Sequence, residues 1–207
     1  AIDLLKAAGY WNAQDHWHPY GKMANNASII NNQASDSVRS LVEKLTNASD
    51  QLLILECLKR GIDPEGSEAP RTSKEALERF YGIPNGDISE LTPGERNKFA
   101  ENIKLIRTGT KSNPNLIILD KATGQSARTM PDTILSLASD NKKKIPFVQG
   151  LYNQGGSATI PYSGLQLIIS KMHPDAKKED DPSSDKYCFT VVRLEPPKEN
   201  DRMERFT

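Results

Sequence analysis

Apolar residues between positions 37 and 60 recur at steps of three and four residues. Because an α-helix advances about 100° per residue, such positions form one stripe along its surface. The stripe consists of Val38, Leu41, Leu45, Ala48, Leu52 and Leu55. No Pro or Gly interrupts residues 37–60, and either Ser35 or Asp36 can cap the first turn. The pattern predicts one long amphipathic helix over these residues.

The polar side of this helix carries Glu43, Asn47 and Asp50. Their spacing of four and then three residues places them within roughly 60° of the helix surface, nearly opposite the apolar stripe. The three side chains therefore face either bulk water or a cavity. A solvated helix face is the simpler interpretation, and the triplet by itself does not decide between the two.

Further patterns predict a mixture of helices and strands. Helices are expected at residues 2–8, 73–81, 93–107 and 131–138, and strands at 116–119, 165–170 and 187–194. Pro and Gly are frequent between residues 61 and 114, which indicates an insertion before the strand at 116–119. Together these elements favour the α+β class, as a two-layer sandwich of helices on one face of a mixed β-sheet.

The strand at 116–119 is entirely apolar and is followed by Asp120. Such a run is typical of a strand that is buried on both sides. A carboxylate at the end of a buried strand needs a hydrogen-bond donor, and the amino group of adenine is one. The small residues Ala122 and Gly124 would leave room for a flat base. An ordinary turn built from Asp and Gly is the alternative.

A glycine-rich segment follows three lysines, Lys142, Lys143 and Lys144. It contains Gly150, Gly155 and Gly156 and continues into Ser157. Adjacent glycines can present backbone N–H groups to phosphate oxygens, and a lysine can approach the same phosphates. We take Lys142 as the candidate, although the sequence does not distinguish it from its two neighbours, and a solvated run of charges is the alternative. The segment contains neither G-x-x-x-x-G-K-[ST] nor G-x-G-x-x-G.

Composition excludes several classes of protein. The 27 basic residues balance the 27 acidic ones, so nucleic-acid binding over a broad basic surface is not indicated. No apolar run approaches about 18 residues, so we expect no membrane span. Two cysteines do not make a disulfide framework, which favours a cytoplasmic location. Zinc binding lacks paired cysteines, and a Ser-His-Asp hydrolase lacks G-x-S-x-G.

The order of these motifs resembles that of the GHKL ATPases, which include gyrase, the large heat-shock chaperone, sensor histidine kinases and MutL. The resemblance rests on Glu43-x-x-x-Asn47-x-x-Asp50, on Asp120-Lys-Ala-Thr-Gly124 and on the glycine-rich segment, in that order. The wider sequence is similar to prokaryotic chaperone-like ATP-binding proteins. The resemblance implies an N-terminal nucleotide-binding domain with a Bergerat-type fold that binds ATP and magnesium.

The same resemblance implies roles for individual residues. Glu43 would be the general base that polarises the attacking water, and Asn47 the Mg²⁺ ligand. Asp50 would help to orient the end of the site that binds the base. Asp120 would accept a hydrogen bond from the adenine amino group, with Gly124 beside the base.

The lid and one later strand complete the implied site. Gly150, Gly155, Gly156 and Ser157 would belong to the lid over the phosphates, and Thr190 would support the adenine-binding carboxylate. Two features depart from the usual pattern. Ala122 stands where a glycine is common, and the lid has only Gly155-Gly156-Ser-Ala in place of a longer glycine repeat.

The expected organisation is an N-terminal arm at 1–34 and an ATP-binding domain at 35–195, with an insertion at 61–114 and a lid at 125–157. Residues 196–207 would begin a following segment of a longer protein. The expected function is a slow, Mg-dependent ATPase that acts as a conformational switch on further domains of the same protein, and a homodimer is compatible with this. The alternatives are a nucleotide-binding or phosphotransfer module that does not hydrolyse ATP, and a purely structural interaction domain.

Overall fold

The computed structural model of the protein describes residues 2–32, 36–137, 144–149, 157–195 and 205–207. Its α-helices are α1 (Ile2–Ala7), α2 (Asn26–Asn31), α3 (Ser37–Lys59), α4 (Ser73–Tyr81) and α5 (Pro93–Ala100). Its strands are β1 (Ile103–Gly109), β2 (Pro114–Asp120), β3 (Leu165–Ser170), β4 (Cys188–Glu195) and β5 (Arg205–Phe206).

Helix α3 is the long helix that the sequence predicts. Asp36 caps it, since its side chain accepts a hydrogen bond from the backbone N–H of Arg39. Its first turns project outwards, with Val38 70% exposed, whereas most residues between Ala48 and Cys57 are buried. Among the described residues, neither α3 nor any other helix is both long enough and apolar enough to cross a membrane.

The described strands form two small antiparallel sheets, one with the order β1-β2 and one with the order β3-β4-β5. The α+β class is therefore confirmed. The expected single mixed sheet is not found among the described residues. The four residues between β1 and β2 are one reason, because so short a connection allows only antiparallel pairing.

The β1-β2 hairpin exposes apolar side chains on both of its faces. Five of them are between 41% and 53% exposed: Leu105, Ile106, Leu116, Ile117 and Leu119. The prediction that the strand at 116–119 is buried on both sides is therefore wrong for the structure described here. The strand pairs only with β1, while α3 contacts the two strands without covering both faces.

Two predicted helices differ from the structure. Residues 103–107, expected as the end of a helix, lie in β1, where Ile103 and Ile106 pair with Asp120 and Ile117. In the predicted helix at 131–138, the described residues form only a short 3₁₀ turn at Met130–Asp132. The Thr133 hydroxyl donates to the Thr129 carbonyl over 2.8 Å, and such local bonds compete with a continuing helix.

The first hydrophobic core joins α3 to residues that lie far from it in the sequence. Leu53, Ile54 and Cys57 of α3 pack with Phe80 of α4 and with Phe147. Part of the segment expected as an insertion thus covers the buried end of α3. The same cluster holds the segment before Gly150 against this helix.

A second core joins the N-terminal residues to the β3-β4-β5 sheet. It contains Tyr20, Ile30, Ile160, Val192 and Phe206. The fully buried Asn26 donates to the Phe206 carbonyl over 2.7 Å and accepts from the Phe206 N–H over 2.8 Å. The expected arm and the strand at Arg205–Phe206 therefore share a core with the residues between them.

Candidate functional site

The polar triplet of α3 becomes more buried towards its C-terminal end. Glu43 and Asn47 are half-buried, whereas Asp50 is only 2% exposed. Asp50 Oδ1 accepts a hydrogen bond from the backbone N–H of Gln149 over 2.9 Å. Asp50 thus attaches the residue immediately before Gly150 to the helix.

Gln51, the residue after Asp50 on α3, binds a different segment of the chain. The Thr123 hydroxyl donates to Gln51 Oε1 over 2.6 Å, and the Thr123 carbonyl accepts from the N–H of His173 over 2.9 Å. The turn after β2 is therefore tied both to α3 and to the residues after β3. Gln51 belongs to none of the motifs recognised in the sequence. Only its position beside Asp50 could have indicated a role.

Gly124 lies in this turn with a φ of +66°, a conformation that favours glycine. A Cβ added there would lie 1.9 Å from the Lys171 carbonyl oxygen, which is closer than two atoms can approach. The sequence suggests that this glycine leaves space for a base. In the structure the neighbour that requires a glycine is the backbone at the end of β3.

Asp120 ends β2, where it pairs with Ile103 across the hairpin. Its Oδ1 accepts from the Ala122 N–H over 3.1 Å, the only hydrogen bond to this carboxyl group among the described residues. Although the residue as a whole is exposed, nearby protein atoms partly desolvate its carboxyl group and raise its pKa, against a smaller opposing effect of the Ala122 N–H. A further donor to this group would relieve that cost.

The remaining predicted site residues lie in several places. Ser157 is fully buried, and its carbonyl accepts from the Ile160 N–H over 2.9 Å. Thr190 is half-buried on β4 opposite Ile168, in the other sheet from Asp120, and no hydrogen bond joins these two described residues. The residues outside the described part of the chain are Lys142, Gly150, Gly155 and Gly156.

Lys44 is a further ionisable residue on α3 that the sequence analysis did not select. It is half-buried, and burial lowers its pKa to about 8. Its position in the sequence could have indicated partial burial. Lys44 follows Leu41 by three residues and directly precedes Leu45, which places it at the edge of the apolar stripe. A lysine there adjoins both Glu43 and the core side of the helix.

A metal ion at this site would depend on few protein ligands. Within the described ranges, no three His, Cys, Asp or Glu side chains cluster closely enough to hold a metal. Mg²⁺ commonly takes one or two protein oxygens and fills its remaining positions with phosphate oxygens and water. An amide oxygen such as that of Asn47 fits this chemistry only together with a phosphate ligand.

Comparison with protein-family models gives no match to this chain. Comparisons with curated proteins and with solved structures give none either. The relation to the GHKL ATPases therefore rests on the motifs of the sequence alone.

Proposed function

We propose that this chain is a Mg-dependent ATP-binding and slowly ATP-hydrolysing domain with a Bergerat-type fold, which acts as a conformational switch within a larger protein. One observation carries the proposal. Consecutive residues of α3, Asp50 and Gln51, bind the segment before Gly150 and the turn after Asp120. The turn that follows Asp120 and the residue that precedes Gly150 are thus both attached to the helix that carries Glu43 and Asn47.

Glu43 and Asn47 have the chemistry that the reaction needs. Hydrolysis requires an attacking water held in line with the γ-phosphate and a cation that neutralises the developing charge. Glu43 would position and polarise the water, and Asn47, one helical turn away, would bind Mg²⁺. Both residues are half-buried, which leaves each of them partly open to a ligand.

Asp120 would select adenine. A carboxylate accepts a hydrogen bond from the 6-amino group of adenine, whereas it would repel the carbonyl oxygen at the same position of guanine. The partial desolvation of the Asp120 carboxyl group supports this role, since a donated hydrogen bond would offset its cost. Thr123, held by Gln51, would keep the turn beside the base in place.

The lid would respond to the bound nucleotide. Its glycine-rich part begins directly after Gln149, whose N–H donates to Asp50. Phosphate binding would order backbone N–H groups of Gly155 and Gly156, and hydrolysis would release them. The fixed attachment at Asp50 would pass this change on to α3 and the first core.

Calorimetric titration with ATP, with and without Mg²⁺, tests the proposal, and GTP serves as the matched control. We expect saturable binding of ATP that Mg²⁺ strengthens, weaker binding of GTP, and slow release of inorganic phosphate. Binding without turnover would favour the nucleotide-binding or phosphotransfer module. Absence of binding to any adenine nucleotide would overturn the proposal and leave a structural domain.

A further inference from the structure

One face of the β4-β5 ladder carries four polar side chains. Glu195 pairs with Arg205, and Arg193 exchanges backbone hydrogen bonds with Thr207 over 2.8 and 2.9 Å. Residues that are directly opposite in an antiparallel pair share a face, as do residues two apart along a strand. The two arginines, the glutamate and the threonine therefore point to the same side of the sheet.

The N-terminal residues cover this face and leave a cavity of about 120 Å³. The residues that line it are Gln14, Trp17, Pro19, Arg193, Glu195, Arg205 and Thr207. Pockets for drug-sized ligands usually occupy about 300–1,000 Å³. This cavity is therefore too small for a nucleotide, and its lining shares no residue with the site proposed for ATP.

Arg193 lies in a corner formed by two indole rings. Its guanidinium carbon is 4.9 Å from the centre of the Trp11 ring and 3.5 Å from that of Trp17, and the two rings are nearly perpendicular. Its Nη1 donates to the Trp11 carbonyl over 2.9 Å. Cation–π contacts and this bond orient the guanidinium but do not neutralise its charge.

The charged side chains that line the cavity are two arginines and one glutamate. The Arg205 Nε lies 4.0 Å from Glu195 Oε2, whereas no described carboxylate lies within 4.0 Å of the Arg193 guanidinium. Burial lowers the pKa of Arg193, although Glu195 partly opposes this effect. Among the described residues, the Arg193 guanidinium is therefore partly desolvated and has no carboxylate in direct contact.

Thr207 provides a second, independent observation. Its Oγ1 is buried and has no hydrogen-bond partner among the described residues. A buried hydroxyl without a hydrogen-bond partner is unfavourable, so such a group usually has one. A small ligand with oxygen atoms would satisfy this hydroxyl and the Arg193 charge together.

We propose that this cavity binds a small oxyanion, a phosphate or a carboxylate, between the N-terminal segment and the β4-β5 ladder. Arg193 and Arg205 bind its charge, and the Thr207 hydroxyl donates to one of its oxygens. Because Arg193 holds Trp11 and Trp17, the bound anion also strengthens the attachment of the N-terminal segment to the sheet.

The two tryptophans of the chain, Trp11 and Trp17, are natural reporters, because they are the only ones in the sequence and both contact Arg193. The experiment titrates the full chain with inorganic phosphate, and separately with acetate, while tryptophan fluorescence is recorded. Potassium chloride at equal ionic strength is the control for screening. We expect a saturable change with at least one of the two anions and none with the chloride salt.

Variants locate the binding. Arg205→Gln should weaken anion binding about tenfold or more through the loss of a charge-assisted hydrogen bond. Thr207→Val should weaken it severalfold without lowering the unfolding temperature of the anion-free protein. Arg96→Gln, which removes the same charge from α5, should leave the titration unchanged.

Two results would overturn the proposal. One is a fluorescence titration that neither anion changes beyond the chloride control. The other is anion binding that Asn47→Ala abolishes while Arg205→Gln leaves it intact, since the anion would then occupy the site proposed for ATP. Failure of ATP binding does not affect this experiment, because none of the residues that line the cavity belongs to the site proposed for ATP.

Discussion

The Asp50 carboxylate and the Gln149 N–H form a hydrogen bond of 2.9 Å that connects the buried half of α3 to a residue 99 positions later in the sequence. Asp50 is only 2% exposed, whereas Gln149 as a whole is exposed, so the buried end of this bond is the carboxylate. Asp50→Ala should destabilise the protein by about 1–3 kcal/mol, because it removes a hydrogen bond to a charged group that attaches this segment to α3. Denaturant unfolding measures this effect.

Asp50→Asn is the matched control, since its amide oxygen still accepts from Gln149. We expect a smaller loss of stability than for the alanine variant. Hydrogen exchange at the Gln149 amide should accelerate in Asp50→Ala more than in Asp50→Asn. Equal exchange rates in both variants would show that this hydrogen bond does not hold the segment.

Glu43→Gln should slow ATP hydrolysis by about 10²–10⁴-fold while ATP binding stays largely intact, because the amide cannot act as a general base. Single-turnover phosphate release and calorimetric affinity are the two measurements. Glu78→Gln, an exposed position on α4, provides the control for loss of one carboxylate. Turnover at the wild-type rate in Glu43→Gln would remove Glu43 from the proposed mechanism.

Asp120→Asn should weaken ATP binding about tenfold to a hundredfold, since a charge-assisted hydrogen bond to adenine contributes about 1.5–3 kcal/mol. Asp63→Asn is the matched control for Asp120→Asn. Asp63 Oδ1 accepts from the N–H two residues later over 3.0 Å, as Asp120 Oδ1 does over 3.1 Å. An equal effect of both substitutions on affinity would indicate a local turn effect rather than recognition of the base.

Gly124→Ala should destabilise the fold by about 3 kcal/mol or more, because left-handed backbone strain adds to a steric overlap with the Lys171 carbonyl. Gly61→Ala separates the two causes. Gly61 has the same φ of +66° but no atom within 4 Å of an added Cβ, so only strain of about 1–2 kcal/mol is expected there. Similar thermal unfolding of the two variants would contradict the close contact at Gly124.

The half-buried Lys44 should make stability depend on pH. Its pKa is about 8 in the folded protein and near 10.5 in an unfolded chain, so the unfolded state holds more protons between these values. The free energy of unfolding should therefore gain a contribution from Lys44 as pH rises from about 8 to 10.5. Lys44→Met removes this contribution, and the difference between the two pH profiles in urea measures it. Parallel profiles would mean that Lys44 keeps an ordinary pKa.

Local patterns predicted α3, α4, β3 and β4 well, because each has a regular apolar period or a defined cap. The prediction of a helix over residues 103–107 is wrong, because Ile103, Leu105 and Ile106 suit a helix as well as a strand. Pairing with β2 decides that these residues form a strand. For the candidate site, the sequence selected Asp50 and Asp120 but not Gln51. Gln149 is 99 positions from Asp50 and Thr123 is 72 positions from Gln51, and no local rule reports contacts at such separations.

The hydrogen bonds between Asn26 and Phe206 span 180 positions of the chain. During synthesis on the ribosome, Tyr20 and Ile30 therefore lack part of their surroundings until Phe206 has been made. The described residues of the first core end at Val148, so this core can assemble earlier. Folding of the nascent chain should accordingly proceed in two stages, and the late stage is the one exposed to proteases and chaperones.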